Sequence, residues 1–284
     1  MTNNPVDFEA WSQKLANALA RVGKDDFAVT LYDALACLAS HCDPIIWFYP
    51  AGDKPFALDT RGELSDATDV DQFLKGPYLL DPYYLAGAEH SEEGFYRLAD
   101  LAPTAFKKSA YYRSYYVRID MADEAGYIVY YGEHSFANIS FGRKDTEAPF
   151  SEEELSRLKS VAGIVCHLLR QHIEKLSPQS SAGEEETKGL PQHLQSALTH
   201  FGTSLLTERE REVIHLFLRG HSTKTAAEKL GISPETIKLH RKNSYAKLDV
   251  ASQAELFVLF IDSLSQSGPY PGEDPLVRYM GLES

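Results

Sequence analysis

The 284-residue chain has three cysteines, Cys37, Cys42 and Cys166, and no C-x-x-C pair. The odd count and the spacing exclude a paired disulfide scaffold and a cysteine-rich zinc site, so a reducing cytoplasm is the expected compartment. Long hydrophobic runs are missing as well: none approaches the ~18 residues that a membrane span needs, and no membrane partner is expected. The start, MTNNPVDFEAW, has neither a basic lead nor an apolar h-region, which argues against a secretory signal. Catalytic signatures are lacking too, with no G-x-S-x-G, H-E-x-x-H, P-loop or G-x-G-x-x-G. The ten histidines are scattered, and His167 and His172 stand five apart, a poor spacing for chelation on one helix. Catalysis, a bound metal and a cofactor are therefore not expected.

What is present is ordinary for a globular chain: 43% hydrophobic and 11% aromatic residues, enough for real cores. The length suggests two domains at the usual ~100–200 residues each. Charge is distributed less evenly. The chain carries 28 Lys+Arg against 41 Asp+Glu, net −13, which as a total argues against a nucleic-acid partner. Residues 1–176 hold 17 cations and 27 anions, whereas residues 200–264 hold 9 and 8. Inside the second segment, 223–247 has six cations and two anions, and from Lys238 to Lys247 there are four cations and no anion. A local cluster of this kind attracts a polyphosphate, while the acidic remainder suppresses stray binding.

Between the two regions, SPQSSAGEEETKGLPQ (Ser177 to Gln192) reads as a solvated linker with a single aliphatic residue, Leu190. The expected division is a sensory domain over 1–176, a linker over 177–199, a helical domain over 200–265 and a Pro/Gly-rich tail over 266–284.

The helical domain can be read turn by turn. Thr207-x-x-Glu210 is a capping box that opens a helix bearing Val213, Ile214, Leu216, Phe217 and Leu218, with Gly220 as its stop. A second helix opens near Ser222 and ends at Gly231. Ser233-Pro234 then supplies an N-cap and a first-turn proline for a third helix to about Leu248. Ser252-x-x-Glu255 opens a fourth. A short helix, a Gly-containing turn and a strongly capped second helix make a helix-turn-helix, at about residues 222–242. In the third helix Ile237, Ser244 and Leu248 share an inward stripe, leaving Lys238, Arg241, Lys242 and Tyr245 on the other side. A helix with cations and an aromatic hydroxyl on one face suits the DNA major groove.

The segment LTEREREVIHLFLRGHSTKTAAEKLGISPETIKLHRKNSYAKLDVASQAEL closely resembles the LuxR-type helix-turn-helix domain of bacterial transcription regulators. The resemblance implies that Lys238, Leu239 and Lys242 face base edges, and that Lys224, Thr236 and Arg241 lie close to phosphates. The chain departs from the family pattern at Ala226, Ser244 and Asp249, which bears on the stability of the small core more than on DNA contact. The fourth helix carries six consecutive apolar residues, Leu256 to Ile261, and a small domain can cover only one face of it. Leu256 and Phe260 are therefore candidate dimer contacts.

In the N-terminal region, residues 8–22 and 25–42 read as amphipathic helices, and Pro44–Pro50 with Phe56–Leu58 as a buried hairpin. Tyr127–Tyr131 and Ser135–Phe141 form a second hairpin, and Ser151-x-x-Glu154 opens an exit helix to about Leu176. The order is that of an α+β fold with an antiparallel sheet and flanking helices. On the exit helix, Leu155, Leu158, Ala162, Val165, Leu169, His172 and Leu176 repeat at alternate spacings of three and four, the period of a two-helix seam. Val165 and Leu169 are the further dimer candidates. Eleven of the sixteen tyrosines fall between Tyr78 and Tyr131. Such a cluster suits a pocket for a small amphipathic or cationic ligand, with Asp81 or Asp120 facing a cation. Trp47, Asp81, Tyr83, Tyr84, Tyr112, Tyr115 and Tyr116 are its candidate residues.

FYRLADLAPTAFKKSAYYRSYYVRIDMADEAGYIV, SFANISFGRK and PFSEEELSRL together resemble the GAF-like sensor domains that precede some LuxR-type domains. A ligand-binding sensory role is what that resemblance implies. The Tyr78–Tyr84 stretch bears a fainter resemblance to acyl-homoserine-lactone-binding domains of quorum-sensing regulators, the alternative reading, although the W-x-x-x-Y segment expected upstream is not evident. The expected partners are double-stranded DNA with a two-fold site, a small-molecule effector, a second copy of the chain and RNA polymerase.

Overall fold

Alternation along the central strands decides which side chains meet which layer. The computed structural model describes residues 6–40, 42–51, 55–60, 67–131, 134–176, 196–266 and 272–282. Strands β1 (Cys42–Tyr49), β2 (Phe56–Thr60), β3 (Gly94–Arg97), β4 (Met121–Tyr131) and β5 (Ser135–Lys144) pair antiparallel in the order β2-β1-β5-β4-β3. The α+β class and both expected hairpins are present. One face gathers Ile46, Phe48, Ala125, Tyr127, Val129, Ala137, Ile139 and Phe141. It is covered by α1 (Phe8–Ala20), α2 (Phe27–Ala36) and the exit segment. The opposite face presents Ile45, Trp47, Tyr49, Ile128 and Phe136 to the tyrosine-rich middle of the chain. That middle supplies α3 (Ala67–Leu74), α4 (Pro82–Ala88), α5 (Leu98–Leu101) and α6 (Ala110–Ser114).

The exit segment is two helices, α7 (Glu152–Ser160) and α8 (Ala162–Leu176), where the sequence suggests one. The Ser151/Glu154 capping box starts α7 as expected. At its end the Tyr127 hydroxyl donates to the Leu158 carbonyl at 2.9 Å, a group that a continuing helix would use itself. The seam reading is corrected here. Val165 and Leu169 are 1% and 0% exposed, packed with Leu168 and Ile173 on this chain's own sheet. An amphipathic stripe has the same period whether it meets a partner helix or a sheet.

The C-terminal helices are α9 (Glu208–Leu218), α10 (Thr223–Leu230), α11 (Pro234–Leu248), α12 (Gln253–Gln266) and α13 (Pro275–Tyr279). Each start has a cap: Thr207 with Glu210, Ser222 with Thr225, Ser233 on the Thr236 amide, Ser252 with Glu255, and Asp274 on the Leu276 amide. Gly231 (φ +64°) makes the left-handed turn between α10 and α11, a conformation that L side chains disfavour. Ile237, Ser244 and Leu248 are all buried, as their spacing implies, and the Ser244 hydroxyl is satisfied by the His240 carbonyl at 2.8 Å. Leu256 and Phe260, expected at a dimer contact, are both 0% exposed inside this small core, with Phe260 set edge-on to Phe201. The outward residue of the apolar run is Val258, 55% exposed.

The helical array rests on the tyrosine layer. Arg219 pairs with Glu89 at 3.1 Å, the Phe257 ring meets Tyr111 edge-on at 6.4 Å, and a Cβ on Gly220 would lie 3.3 Å from the Phe106 ring. The expected linker lies almost wholly outside the described residues, as does the first part of the tail. Among the described residues, no helix is long and apolar enough to cross a membrane.

Candidate functional site

Between the sheet and the tyrosine layer lies a cavity whose walls come from four places. β1 contributes Ile45 and Trp47, and the inward positions of β4 and β5 contribute Glu124, Asn138 and Ser140. Val70 and Phe73 come from α3, and Asp81 stands just before α4. Tyr111, Tyr115 and Tyr116 come from α6 and the turn after it. About 70 Å³ of the cavity can take the centre of a water molecule, room for on the order of a few waters. The exposed Arg118 stands among the lining residues at the lip.

Asp81 is fixed in place by its role as helix cap. Its Oδ1 accepts from the Tyr83 amide at 2.9 Å and the Tyr84 amide at 3.2 Å, and its Oδ2 accepts the Tyr111 hydroxyl at 3.0 Å. Glu124 accepts the Tyr116 hydroxyl at 2.7 Å. Both carboxylates are buried, at 8% exposure each. Burial pushes Asp81 above the ordinary carboxylate range, opposed by the Tyr84 and Tyr83 amides and the Tyr111 hydroxyl. Burial and then the charge of Asp81 push Glu124 further up, so that it holds a proton near neutral pH. The rings shift in the same direction: burial and the two acids push the Tyr111 and Tyr116 hydroxyls well above 10, which keeps them as neutral donors. Asn138, 2% exposed, has no hydrogen-bond partner for its Oδ1.

Four of the seven expected pocket residues, Trp47, Asp81, Tyr115 and Tyr116, line this cavity. The other three support it from behind. Tyr83 donates to the Tyr96 carbonyl, Tyr84 packs edge-on against Tyr78, and Tyr112 stacks on Tyr116. Asp120, an alternative partner for a cation, is exposed in a turn at φ +57° and is not among the lining residues. Glu124, Asn138 and Phe73 were missed. The period-two alternation of β4 and β5 would have placed Glu124 and Asn138 on an inward face, but not opposite Asp81.

A second constellation lies on α11. Lys238, Leu239 and Lys242 are exposed, Leu239 at 56%. Lys238, Arg241, Lys242 and Tyr245 line one open groove together with Ser252 and Gln253 at the start of α12. The Arg241 guanidinium lies 5.1 Å from the Phe217 ring centroid and 6.0 Å from that of Tyr245, a cation–π position that ties it to α9. Lys224 is exposed on α10, and Thr236 is half-buried, its hydroxyl 2.9 Å from that of Ser233. The seven residues expected to meet DNA lie on α10 and α11, with Lys224, Lys238 and Lys242 exposed and Arg241 half-buried.

Residues 204–260 match the family described as bacterial regulatory proteins, luxR family. Over 186 residues the chain is 32% identical to an HTH-type transcriptional regulator in the exeN 3' region of Aeromonas salmonicida, covering 65% of this chain and 94% of that protein. It is 26% identical over 194 residues to the monoamine regulon transcriptional regulator of Klebsiella aerogenes, covering 68% and 72%. Among solved structures, the VqsR LBD domain from Pseudomonas aeruginosa shares the fold, with a TM-score of 0.52 at 22% identity, covering 60% of this chain and 99% of that one. With the capped helix-turn-helix and the relative matched over nearly its whole length, the chain belongs to the LuxR family of bacterial transcriptional regulators.

Proposed function

We propose that the chain is an effector-controlled, sequence-specific DNA-binding regulator. Residues 1–176 hold the effector, and residues 200–265 carry α11 into the major groove of a two-fold site as a pair of chains. In this reading Lys238, Leu239 and Lys242 meet base edges, while Lys224, Thr236 and Arg241 meet phosphates. Tyr245 packs beside Arg241 and steadies it.

The observation that carries effector control is the double role of Tyr111. Its hydroxyl donates to Asp81 in the cavity, while its ring meets Phe257 on α12. An occupant that draws on Asp81 also shifts the balance of contacts on which the DNA-binding helices rest. That gives a ligand different interaction energies in docked and undocked arrangements, the requirement for any population shift. The matching fold of a domain titled LBD and the relative named for a monoamine regulon support a small-molecule effector.

The test is fluorescence anisotropy of the full chain on a site enriched from random DNA, with and without small-molecule fractions from the producing cell. The expected result is a shift in affinity that Asp81→Asn abolishes. An affinity that no fraction moves would remove effector control and leave a constitutive regulator.

A further inference from the structure

We infer that the occupant of the sheet-face cavity is a compact organic monoammonium ion, its N–H groups directed to Asp81, Glu124 and Asn138 and its carbon skeleton held against Trp47, Phe73 and Tyr115. The inference rests on the effector reading above and names the chemistry that the same site recognises.

The first support is the balance of donors and acceptors. The hydroxyls of Tyr111 and Tyr116 already donate, to Asp81 and Glu124 respectively. Among the buried side-chain atoms of the wall, the one left without a partner is an acceptor, the Oδ1 of Asn138, and it lies in the same cavity as the two acids. An ammonium group brings three donors and no acceptor. The second support is charge. Two buried carboxyls in one small cavity disfavour each other's ionisation, and a cation between them relieves both.

The third support is shape and surroundings. Trp47 and Phe73 lie with ring centroids 4.6 Å apart, forming an aromatic wall over which a cation and an apolar skeleton are both favoured. The compact space favours a short carbon skeleton. Arg118 at the lip disfavours a second positive group there, which selects a monoamine over a diamine. The groups that act on Glu124 are Asp81 from the α4 cap, Asp123 on the same strand, Tyr116 after α6 and Ser140 on β5, while Arg118 lines the same cavity. A cation arriving beside a protonated Glu124 therefore displaces that proton.

The experiment uses the full chain with Trp11→Phe, which leaves Trp47 as its single tryptophan. Emission is titrated with 2-phenylethylamine, benzylamine and n-pentylamine, with 2-phenylethanol as the neutral match, and with N-octanoyl-homoserine lactone. At least one amine is expected to saturate the signal, with the alcohol at least tenfold weaker. Glu124→Gln should weaken the amine at least tenfold without weakening the alcohol, and Asp81→Asn should do the same. Calorimetry at pH 7 in buffers of different ionisation enthalpy should show proton release on amine binding. Equal binding of amine and alcohol would overturn the inference. So would a lactone response with all three amines silent, no response to any of the three amines, or a Glu124→Gln protein that melts like the parent and keeps its amine affinity. An amine that binds as expected but leaves DNA affinity unmoved overturns effector control instead, and the ligand assignment stands.

Discussion

Replacing Lys238 and Lys224 in turn separates base reading from phosphate attraction, because the two sit on different helices with different expected partners. Both are exposed and neither supports the core, so alanine removes a contact with DNA and little else. Lys238 lies one turn from Lys242 on the exposed face of α11, beside Leu239. Loss of one base-edge contact costs ~1–3 kcal/mol, on the order of 5- to 150-fold in affinity for the selected site. Random DNA offers no such contact, so the variant should lose much less there. Lys224 on α10 should behave in the opposite way. Removing one neutralised phosphate lowers the slope of log affinity against log salt by ~0.9 on duplex DNA. Over a fourfold rise in salt, for instance from about 50 to about 200 mM, that amounts to ~3.5-fold less loss of affinity than in the parent. Selected and random sites should weaken alike. Fluorescence anisotropy on a selected and a scrambled duplex at several salt concentrations measures both effects. If Lys238→Ala weakens both duplexes equally, or Lys224→Ala narrows specificity without changing the salt slope, the assignment of α10 and α11 is wrong.

Three further outcomes follow from the packing. Tyr111→Phe keeps the ring against Phe257 but deletes the donor to Asp81, and should cost ~1.5–3 kcal/mol in urea unfolding, as for a buried bond to a charged acceptor; an unaltered unfolding midpoint would deny that bond. The double variant Val165→Glu, Leu169→Glu places two charges against the sheet, so circular dichroism should show loss of the cooperative melt rather than a folded monomer. His172 is buried, stacks on Phe27 at 4.1 Å and accepts the Gly23 amide at 3.0 Å, and burial holds it down at about 4. Below its unfolded value the unfolded chain binds the extra proton, so stability is full above about pH 6.5 and falls as pH drops towards 4. The His172 share of that loss is on the order of 3 kcal/mol, and His172→Gln should flatten the acid limb of a melting-temperature profile by a corresponding amount.

Local chemistry was legible in the sequence wherever the determinant was itself local. Thr207/Glu210 and Ser151/Glu154 announce their helix starts because a capping box needs residues only three apart. Ile237, Ser244 and Leu248 announce the buried side of α11 because helical geometry alone sets their common face. Long-range partnership was not legible. The three-four repeat through Val165 and Leu169 fits a helix pair and a helix on a sheet equally well, and only the sheet's position decides. The apolar run Leu256 to Ile261 leaves open which of its residues face outward, and the fold turns Leu256 and Phe260 inward and leaves Val258 outside. The cavity was found in part, through tyrosine clustering and the Asp81-Pro82 cap. Its other acid, Glu124, sits on a strand 43 residues further along, and only the tertiary fold brings the two into one cavity.

Enrichment of random duplex DNA by the full chain tests the central claim most directly. Sequence-specific recognition through α11 predicts a two-fold consensus that emerges over successive rounds and fades when Lys238 and Lys242 are both alanine. A library that shows no consensus with the parent protein, or the same consensus with both lysines removed, would contradict it.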